Sequence, residues 1–218
     1  MPAAAYCDVD GTLTATTIVT PMLWFRRKRG TWADKIWIAS LPLRGPWWLL
    51  LDRLDRGASN RAIYGNYRGF DARWVRENAQ ACFEQCLKPR FFPKALARLG
   101  ELKRAGVKLV LVTGSVDFIM QPLADYLEAE LIAPRLLEEG GKLSGKMSQE
   151  PLTGKEKFDA VVRHAAEHKI DLSASYAFGD AHGDLDMLNA VGHSVAVNPD
   201  GRVRKIAREK NWEIADWS

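Results

Sequence analysis

Short apolar runs alternate with amphipathic stretches over most of this chain. The runs are rich in β-branched and aromatic residues, as buried strands are, and they occupy residues 3–7, 107–114, 175–180 and 193–200. The stretches between them, at 93–106 and 156–169, repeat apolar side chains at helical spacing. Strands that alternate with helices of this length predict an α/β fold, with a parallel sheet covered by helices on both faces.

The two helical stretches carry their own boundary and packing signals. Pro93 is placed to begin the first helix and Gly106 to end it. In the second helix the pattern predicts a buried stripe of Phe158, Val161, Val162 and Ala165. Residues 131–147 interrupt the alternation, because two adjacent glycines separate short alternating runs, and they predict a peripheral β-hairpin.

Residues 20–76 differ in composition from the rest of the chain. They contain 12 Lys and Arg against 4 Asp, a local charge of +8, whereas the whole chain carries +4. Six of the eight tryptophans also lie there, so the segment is predicted to be a separate helical unit. Its tryptophans either pack inside that unit or lie at a membrane interface, where aromatic and basic side chains both favour the headgroup level.

The remaining composition places the chain among ordinary globular proteins. It has 218 residues, of which 47% are hydrophobic and 27% charged, and these values exclude disordered and collagen-like classes. Three cysteines do not make a disulfide framework and favour a reducing compartment. Neither a signal peptide nor an apolar run of spanning length is present, so we expect a cytoplasmic protein, with peripheral contact at the inner face of the membrane as a further hypothesis.

Two aspartates follow the first predicted strand. Asp8 and Asp10 are separated by one residue, so in an extended chain their carboxylates point to the same side and repel each other. A divalent cation offsets such repulsion, and so does a proton on one of the two. Because ligands bind at the carboxyl ends of parallel strands, we expect both carboxylates in one crevice with Thr113, Gly114, Asp180 and Asp184.

Four motifs in this order carry a family resemblance. DVDGT at 8–12, LVTGS at 111–115, a helix-borne lysine and GDAHGD at 179–184 together resemble the phosphatases of the haloacid dehalogenase superfamily. The helical insertion after the first strand resembles the cap of the branch that contains phosphoserine phosphatase, and the apolar, basic cap is also similar to a phosphatidylglycerophosphatase of that branch. The resemblance implies a Rossmann-like core at 1–15 and 88–218 and a helical cap domain at 16–87.

The resemblance and the chemistry of phosphate ester hydrolysis give each motif a role. Asp8 is predicted to be the nucleophile that forms an aspartyl-phosphate, and Asp10 the general acid and base. Lys157 is predicted to neutralise Asp8 and the phosphate, with Lys155 as the alternative lysine. The substrate phosphate is expected against Gly11, Thr12, Thr113, Gly114 and Ser115. Mg²⁺ is the expected cofactor, held by Asp8, the Asp10 backbone carbonyl, Asp180 and Asp184.

Two positions of the helical insertion depart from the phosphoserine phosphatase pattern. Thr17 stands where that enzyme has an acidic residue for the substrate ammonium, and Ile63 stands near its carboxylate-binding arginine. The expected substrate is therefore a lipid phosphate or phosphorylated headgroup, with phosphoserine or another small phosphorylated molecule as the alternative. A phosphotransferase or mutase is less favoured, and a nucleic-acid-binding module is not expected, because the motifs indicate catalysis.

Overall fold

The fold is built on eight strands. The computed structural model describes residues 1–51 and 54–218 in full, together with the backbone of residues 52 and 53. The strands are β1 (Ala4–Cys7), β2 (Lys108–Val112), β3 (Glu130–Ile132), β4 (Leu136–Glu139), β5 (Lys142–Met147), β6 (Tyr176–Gly179), β7 (His193–Val197) and β8 (Glu213–Ala215).

Six of these strands form one parallel sheet in the order β3-β2-β1-β6-β7-β8. Side chains alternate across it: Ala5 and Cys7 of β1 join one buried cluster, whereas Ala4 and Tyr6 join the other. Both faces are therefore covered, as buried parallel sheets require. The predicted α/β class with a Rossmann-like sheet is confirmed.

Eleven α-helices lie in the described part of the chain. They are α1 (Val19–Arg29), α2 (Trp32–Ala39), α3 (Leu41–Leu54), α4 (Arg56–Tyr64), α5 (Ala72–Glu77), α6 (Ala79–Cys82), α7 (Pro93–Arg104), α8 (Asp117–Leu127), α9 (Lys155–His168), α10 (Leu185–Asn189) and α11 (Gly201–Glu209). The first seven lie between β1 and β2, and six of them, α1 to α6, fall where the sequence predicts the helical insertion. The domain boundaries at 15/16 and 87/88 stay a prediction.

A buried ionic cluster ties the first helices together. Asp34, whose side chain is fully buried, accepts hydrogen bonds from Arg26 at 2.9 Å and from Arg29 at 2.7 Å and 2.6 Å. Thr31 caps α2 by accepting from the Asp34 amide, and the Asp34 carboxylate accepts from Thr31 in return. This reciprocal cap fixes the start of α2 against the end of α1. The Arg29 guanidinium also lies 3.7 Å from the centre of the Phe70 ring.

The predicted stripe of α9 is wrong at two of its four positions. Phe158 and Val162 are 36% and 38% exposed, whereas Lys157 and His164 are buried. Hydrophobic periodicity misassigned this face because both buried polar groups have partners. Lys157 pairs with carboxylates, and His164 contacts the Tyr6 hydroxyl at 3.1 Å.

The hairpin formed by β4 and β5 is present as predicted, but it is not peripheral. Its residues exchange backbone hydrogen bonds with residues 69–72 at the start of α5: the Gly69 amide donates to Leu143, the Leu143 amide to Phe70, and the Ala72 amide to Gly141, at 2.8 to 2.9 Å. The hairpin, which follows β3 in the sequence, therefore fastens residues 69–72 of the helical segment through backbone hydrogen bonds. None of the described helices has the length and apolar character needed to cross a membrane.

Candidate active site

The predicted site residues converge at the carboxyl edge of the sheet. Asp8 follows β1, Thr113 follows β2 and Asp180 follows β6, while Lys157 and Asp184 lie beside the first turns of α9 and α10. With these five, Asp10, Gly11, Gly114 and Ser115 line one cavity of about 480 Å³. This volume is within the range of small-molecule sites. Thr12 lies outside the lining but contacts two of the carboxylates.

Lys157 links two of the buried carboxylates. Its ammonium lies 2.5 Å from Oδ1 of Asp8 and also donates to Oδ1 of Asp184. Burial acts to lower the pKa of Lys157, but Asp184 and Asp8 outweigh it, so the pKa is raised and the ammonium stays charged. The alternative residue, Lys155, is exposed and pairs with Asp159 on the surface. The structure therefore places Lys157, not Lys155, among the carboxylates.

Asp180 completes an acidic cluster with high charge density. Burial, followed by the charges of Asp8 and Asp184, raises the pKa of Asp180 to about 8, and burial raises that of Asp8 to about 6. The hydroxyl of Thr12 lies 2.9 Å from Asp180 and 3.3 Å from Asp8, between the two. The raised pKa values reflect burial together with negative charge that Lys157 alone does not compensate, so a further cation would stabilise the ionised carboxylates.

The cluster has the donors that Mg²⁺ requires. Carboxylate oxygens of Asp8, Asp180 and Asp184 all lie within 4.8 Å of one another. They are hard oxygen ligands, and the surplus negative charge at the site matches a divalent cation. The three side chains therefore fit the predicted metal. The backbone carbonyl of Asp10 as an additional ligand stays a prediction.

Two hydroxyl groups hold the Asp10 carboxylate in place. Thr16 donates to Oδ1 at 2.6 Å and Ser115 donates to Oδ2 at 2.7 Å. The amide of Ser115 donates to Oγ1 of Thr113 at 3.0 Å, so Ser115 joins the second motif to Asp10. Binding of the substrate phosphate by Ser115 stays a prediction; in the structure its hydroxyl positions the Asp10 carboxylate.

Gly11 allows the turn after β1 to approach Asp180 of the GDAHGD motif closely. Its φ of 89° lies in the left-handed region, and a Cβ atom there would be 2.4 Å from an oxygen of Asp180. A larger residue would displace either the backbone turn or the carboxylate. The DVDGT turn and Asp180 therefore share one tightly packed edge of the cavity.

The helical segment covers the outer side of the cavity, and most of its contributions were not identified from the sequence. Arg56, Ser59 and Asn60 at the start of α4 are its polar lining residues, together with Thr16 and Thr17. The rest of this wall is apolar and consists of Ile18, Val19, Leu23, Leu41, Trp48, Leu49 and Ile63. The sequence singled out only Thr17 and Ile63, as departures from the phosphoserine phosphatase pattern. The other residues belong to no recognisable motif, so only their position beside Asp8 reveals them.

A second mixed cluster lies away from this cavity. Glu130 and His164 share a hydrogen bond of 2.6 Å, and the ammonium of Lys108 donates to Glu130 at 2.6 Å. The ring of His168 stacks on that of His164. The sequence showed no partner for these histidines. Cys82 and Cys86, one helical turn apart, are free and buried in the core.

Comparison with known proteins agrees with the motifs. A sequence profile of the haloacid dehalogenase-like hydrolases matches residues 5–189. A probable phosphatase of Mycobacterium tuberculosis H37Rv is 32% identical over 168 residues, which cover 77% of this chain and 58% of that protein. The chain thus spans little more than half the length of the curated relatives it matches first.

Two solved structures show the same fold over the whole chain. A protein of unknown function from Bordetella pertussis Tohama I superposes with a TM-score of 0.86 at 20% identity, and each chain is covered completely. A phosphoserine phosphatase in its apo form gives a TM-score of 0.71 at 18% identity, covering all of this chain and 94% of the other. At these identities the likeness extends to the fold alone.

Proposed function

Because this chain belongs to the haloacid dehalogenase-like hydrolase family, we propose that it hydrolyses a phosphate monoester through an aspartyl-phosphate on Asp8. The observation that carries the proposal is the pairing of Lys157 with Asp8 beside a second aspartate, Asp10, in one cavity. An in-line displacement needs an anionic nucleophile and positive charge near the phosphoryl oxygens. Lys157 favours the ionised carboxylate of Asp8 and offers that positive charge.

Asp10 is suited to move the protons of the reaction. When the ester bond breaks, the leaving oxygen needs a proton, and when the acyl phosphate is hydrolysed, the attacking water must lose one. One carboxyl group performs both steps if it is held at a constant distance from Asp8. The hydroxyls of Thr16 and Ser115 hold Asp10 in this way.

Mg²⁺ is the proposed cofactor, with Asp8, Asp180 and Asp184 as the side chains that would hold it. When bound, the ion supplies positive charge that offsets the charge of the phosphoryl group and of the carboxylates. Thr12 orients Asp180 and Asp8, and Lys157 orients Asp8 and Asp184. The protein thereby presents its carboxylate oxygens in one direction before ligand arrives.

The cavity wall favours a substrate with an apolar portion. Beyond the carboxylates at the sheet edge, no acidic residue of the described chain lines the cavity, and Thr17 lies where an ammonium-binding acid would be needed. Seven apolar side chains form the outer wall instead. A lipid phosphate or phosphorylated headgroup therefore fits better than a zwitterionic amino-acid phosphate. Membrane contact and a cytoplasmic location stay predictions.

Phosphoserine or another small phosphorylated molecule is the second candidate. Arg56 lines the same cavity, and its positive charge acts on Asp180. A guanidinium at that position could also bind the carboxylate of a small substrate, as guanidinium groups commonly do. The fold shared with a phosphoserine phosphatase is compatible with this alternative.

Phosphate release with Mg²⁺ from p-nitrophenyl phosphate, phosphoserine, sugar phosphates and a diacylglycerol phosphate tests both candidates. We expect turnover by the wild type, and neither turnover nor a covalent phosphoenzyme with Asp8→Asn, because an amide is not an anionic nucleophile. Undiminished release by a pure Asp8→Asn sample would refute the mechanism. Faster hydrolysis of phosphoserine than of the lipid phosphate would favour the second candidate.

A further inference from the structure

Helix α3 is apolar on two opposite sides. One side faces the protein, where Leu41, Gly45 and Trp48 line the cavity. The other side carries Leu43, Trp47, Leu50 and Leu54, which recur at helical spacing and are 83%, 59%, 50% and 76% exposed. A helix that is hydrophobic all round is normally covered all round. Here the described residues cover only the inner side.

Helix α2 adds to the exposed apolar surface. Trp32 and Ile36, one turn apart, are 78% and 66% exposed. Of the twelve large apolar side chains that are exposed among the described residues, seven lie between residues 32 and 54. Such a concentration marks a contact surface, since isolated exposed apolar residues are ordinary. We refer to Trp32, Ile36, Leu43, Trp47, Leu50 and Leu54 as the apolar face.

Basic side chains accompany the apolar face. The ammonium of Lys35 lies 5.2 Å from the Trp32 ring, and exposed Arg44 lies one residue after Leu43. The surrounding residues 20–76 carry +8. Exposed tryptophan next to lysine and arginine matches the chemistry of an anionic membrane surface, where rings enter the headgroup layer and cations remain at the phosphates.

The cavity opens beside this same helix. Leu49 lines the cavity and is 68% exposed, so α3 forms part of the cavity rim as well as the apolar face. A ligand that leaves a bilayer at α3 would meet the apolar wall first and the carboxylates of Asp8 and Asp180 beyond it. The position of the rim therefore connects the exposed surface to the candidate active site.

We propose that the apolar face docks on a bilayer that contains anionic phospholipid, and that the cavity takes the phosphate ester of an amphipathic lipid from it. The second part rests on the phosphatase function proposed above, whereas the docking itself does not. The face buries its leucines and tryptophans in the headgroup region, while Lys35 and Arg44 contact lipid phosphates. Four of the tryptophans in residues 20–76, including Trp37 and Trp48, remain at least partly inside the protein.

Co-sedimentation with phosphatidylcholine vesicles, with and without phosphatidylglycerol, tests the docking. We expect the wild type to bind the anionic vesicles and the double variant Trp47→Glu, Leu50→Glu to lose binding. Leu137→Glu, at a 43% exposed position on the hairpin, is the matched control and should bind as the wild type does. Lys35→Gln with Arg44→Gln should weaken binding by about fivefold for each charge removed.

Two enzymatic readouts separate docking from catalysis. Neither Trp47 nor Leu50 lines the cavity, so the double variant should hydrolyse p-nitrophenyl phosphate at the wild-type rate but a diacylglycerol phosphate in vesicles more slowly. Wild-type protein that binds vesicles without hydrolysing any phosphate ester would refute the phosphatase and leave the docking intact. Absent vesicle binding would overturn the docking. Sedimentation velocity showing a dimer that the double variant abolishes would instead identify a second copy as the occupant of the face.

Discussion

The Lys157 ammonium lies 2.5 Å from the Asp8 carboxylate although 149 positions separate the two residues in sequence. Both side chains are almost completely buried, and Lys157 also contacts Asp184. A cation shared between two buried carboxylates is hard to replace, because removing it leaves both charges uncompensated. Lys157 therefore links Asp8 of the DVDGT motif to Asp184 of the GDAHGD motif.

Lys157→Met should lower kcat by roughly 10²- to 10³-fold, the scale seen when one stabilising donor is removed from a transition state. Lys155→Met should leave kcat unchanged, since Lys155 pairs only on the surface with Asp159 among the contacts described. Steady-state rates on p-nitrophenyl phosphate measure both, and circular dichroism checks that each variant is folded. Loss of activity in the Lys155 variant with a folded, active Lys157 variant would reverse the assignment.

Asp180→Ala should shift the Mg²⁺ dependence of activity to much higher concentration or abolish activity. The substitution removes one of three carboxylates that lie within 4.8 Å of one another, and a hard cation loses a hard ligand. Titration of activity with Mg²⁺ after removal of metal with EDTA provides the measurement. Wild-type activity that survives EDTA would show that the carboxylate cluster does not serve a metal.

Asp10→Asn should reduce kcat by roughly 10²- to 10⁴-fold, as expected when a general acid and base is lost. Ser115→Ala should reduce kcat less, because Thr16 still donates to the other carboxylate oxygen. The pH profile of kcat distinguishes the two variants. Asp10→Asn should abolish the pH dependence that comes from titration of Asp10, whereas Ser115→Ala should retain it. Asp186→Asn, exposed on α10, is the matched control. Equal rates for Asp10→Asn and this control would exclude Asp10 from proton transfer.

Asp34 should make the stability of the helical segment depend on pH. Burial acts to raise its pKa, but hydrogen bonds from Arg29 and Thr31 outweigh burial and hold the pKa at about 2. Because this value lies below the ordinary value of 3.8, Asp34 stabilises the fold fully above about pH 4 and loses that contribution as the pH falls towards 2.

The variant Asp34→Asn should therefore be less stable than the wild type at pH 7, by roughly 3 kcal/mol, and the difference should shrink as pH falls. Urea unfolding at a series of pH values measures it. Glu77→Gln disrupts an exposed pair with Arg73 and should cost less than about 1 kcal/mol at any pH. If the loss of unfolding free energy in Asp34→Asn grew as the pH fell, the lowered pKa of Asp34 would be contradicted.

The sheet and the convergence of the motifs could be predicted because both follow from local patterns. Parallel strands place their carboxyl ends on one edge, so Asp8, Thr113 and Asp180 had to meet once their strands were identified. Short strands were missed: β3 and β8 have three residues each, too few to show a period. The face of α9 was misassigned because Lys157 and His164 are buried against polar partners that are distant in sequence, which hydropathy does not register.

The outer wall of the cavity could not be predicted. Arg56 and Asn60 lie in a helix without a motif, and their chemistry depends on where α4 is placed over the sheet. Composition did reveal that residues 20–76 are unusual. It did not distinguish buried Trp37 and Trp48 from exposed Trp32 and Trp47, because that distinction depends on how α2 and α3 pack.

The junction between the hairpin and residues 69–72 affects how such a protein can diversify. Its bonds join backbone amides to backbone carbonyls, so apart from Gly69 and Gly141, whose φ angles are positive, they place few demands on side-chain identity. Substitutions can therefore accumulate on the outer surfaces of α2 and α3 while the segment stays attached at the same point over the sheet. Selection can then change which ligand reaches the carboxylates at the sheet edge without altering the attachment, so ligand preference can evolve separately within the helical segment.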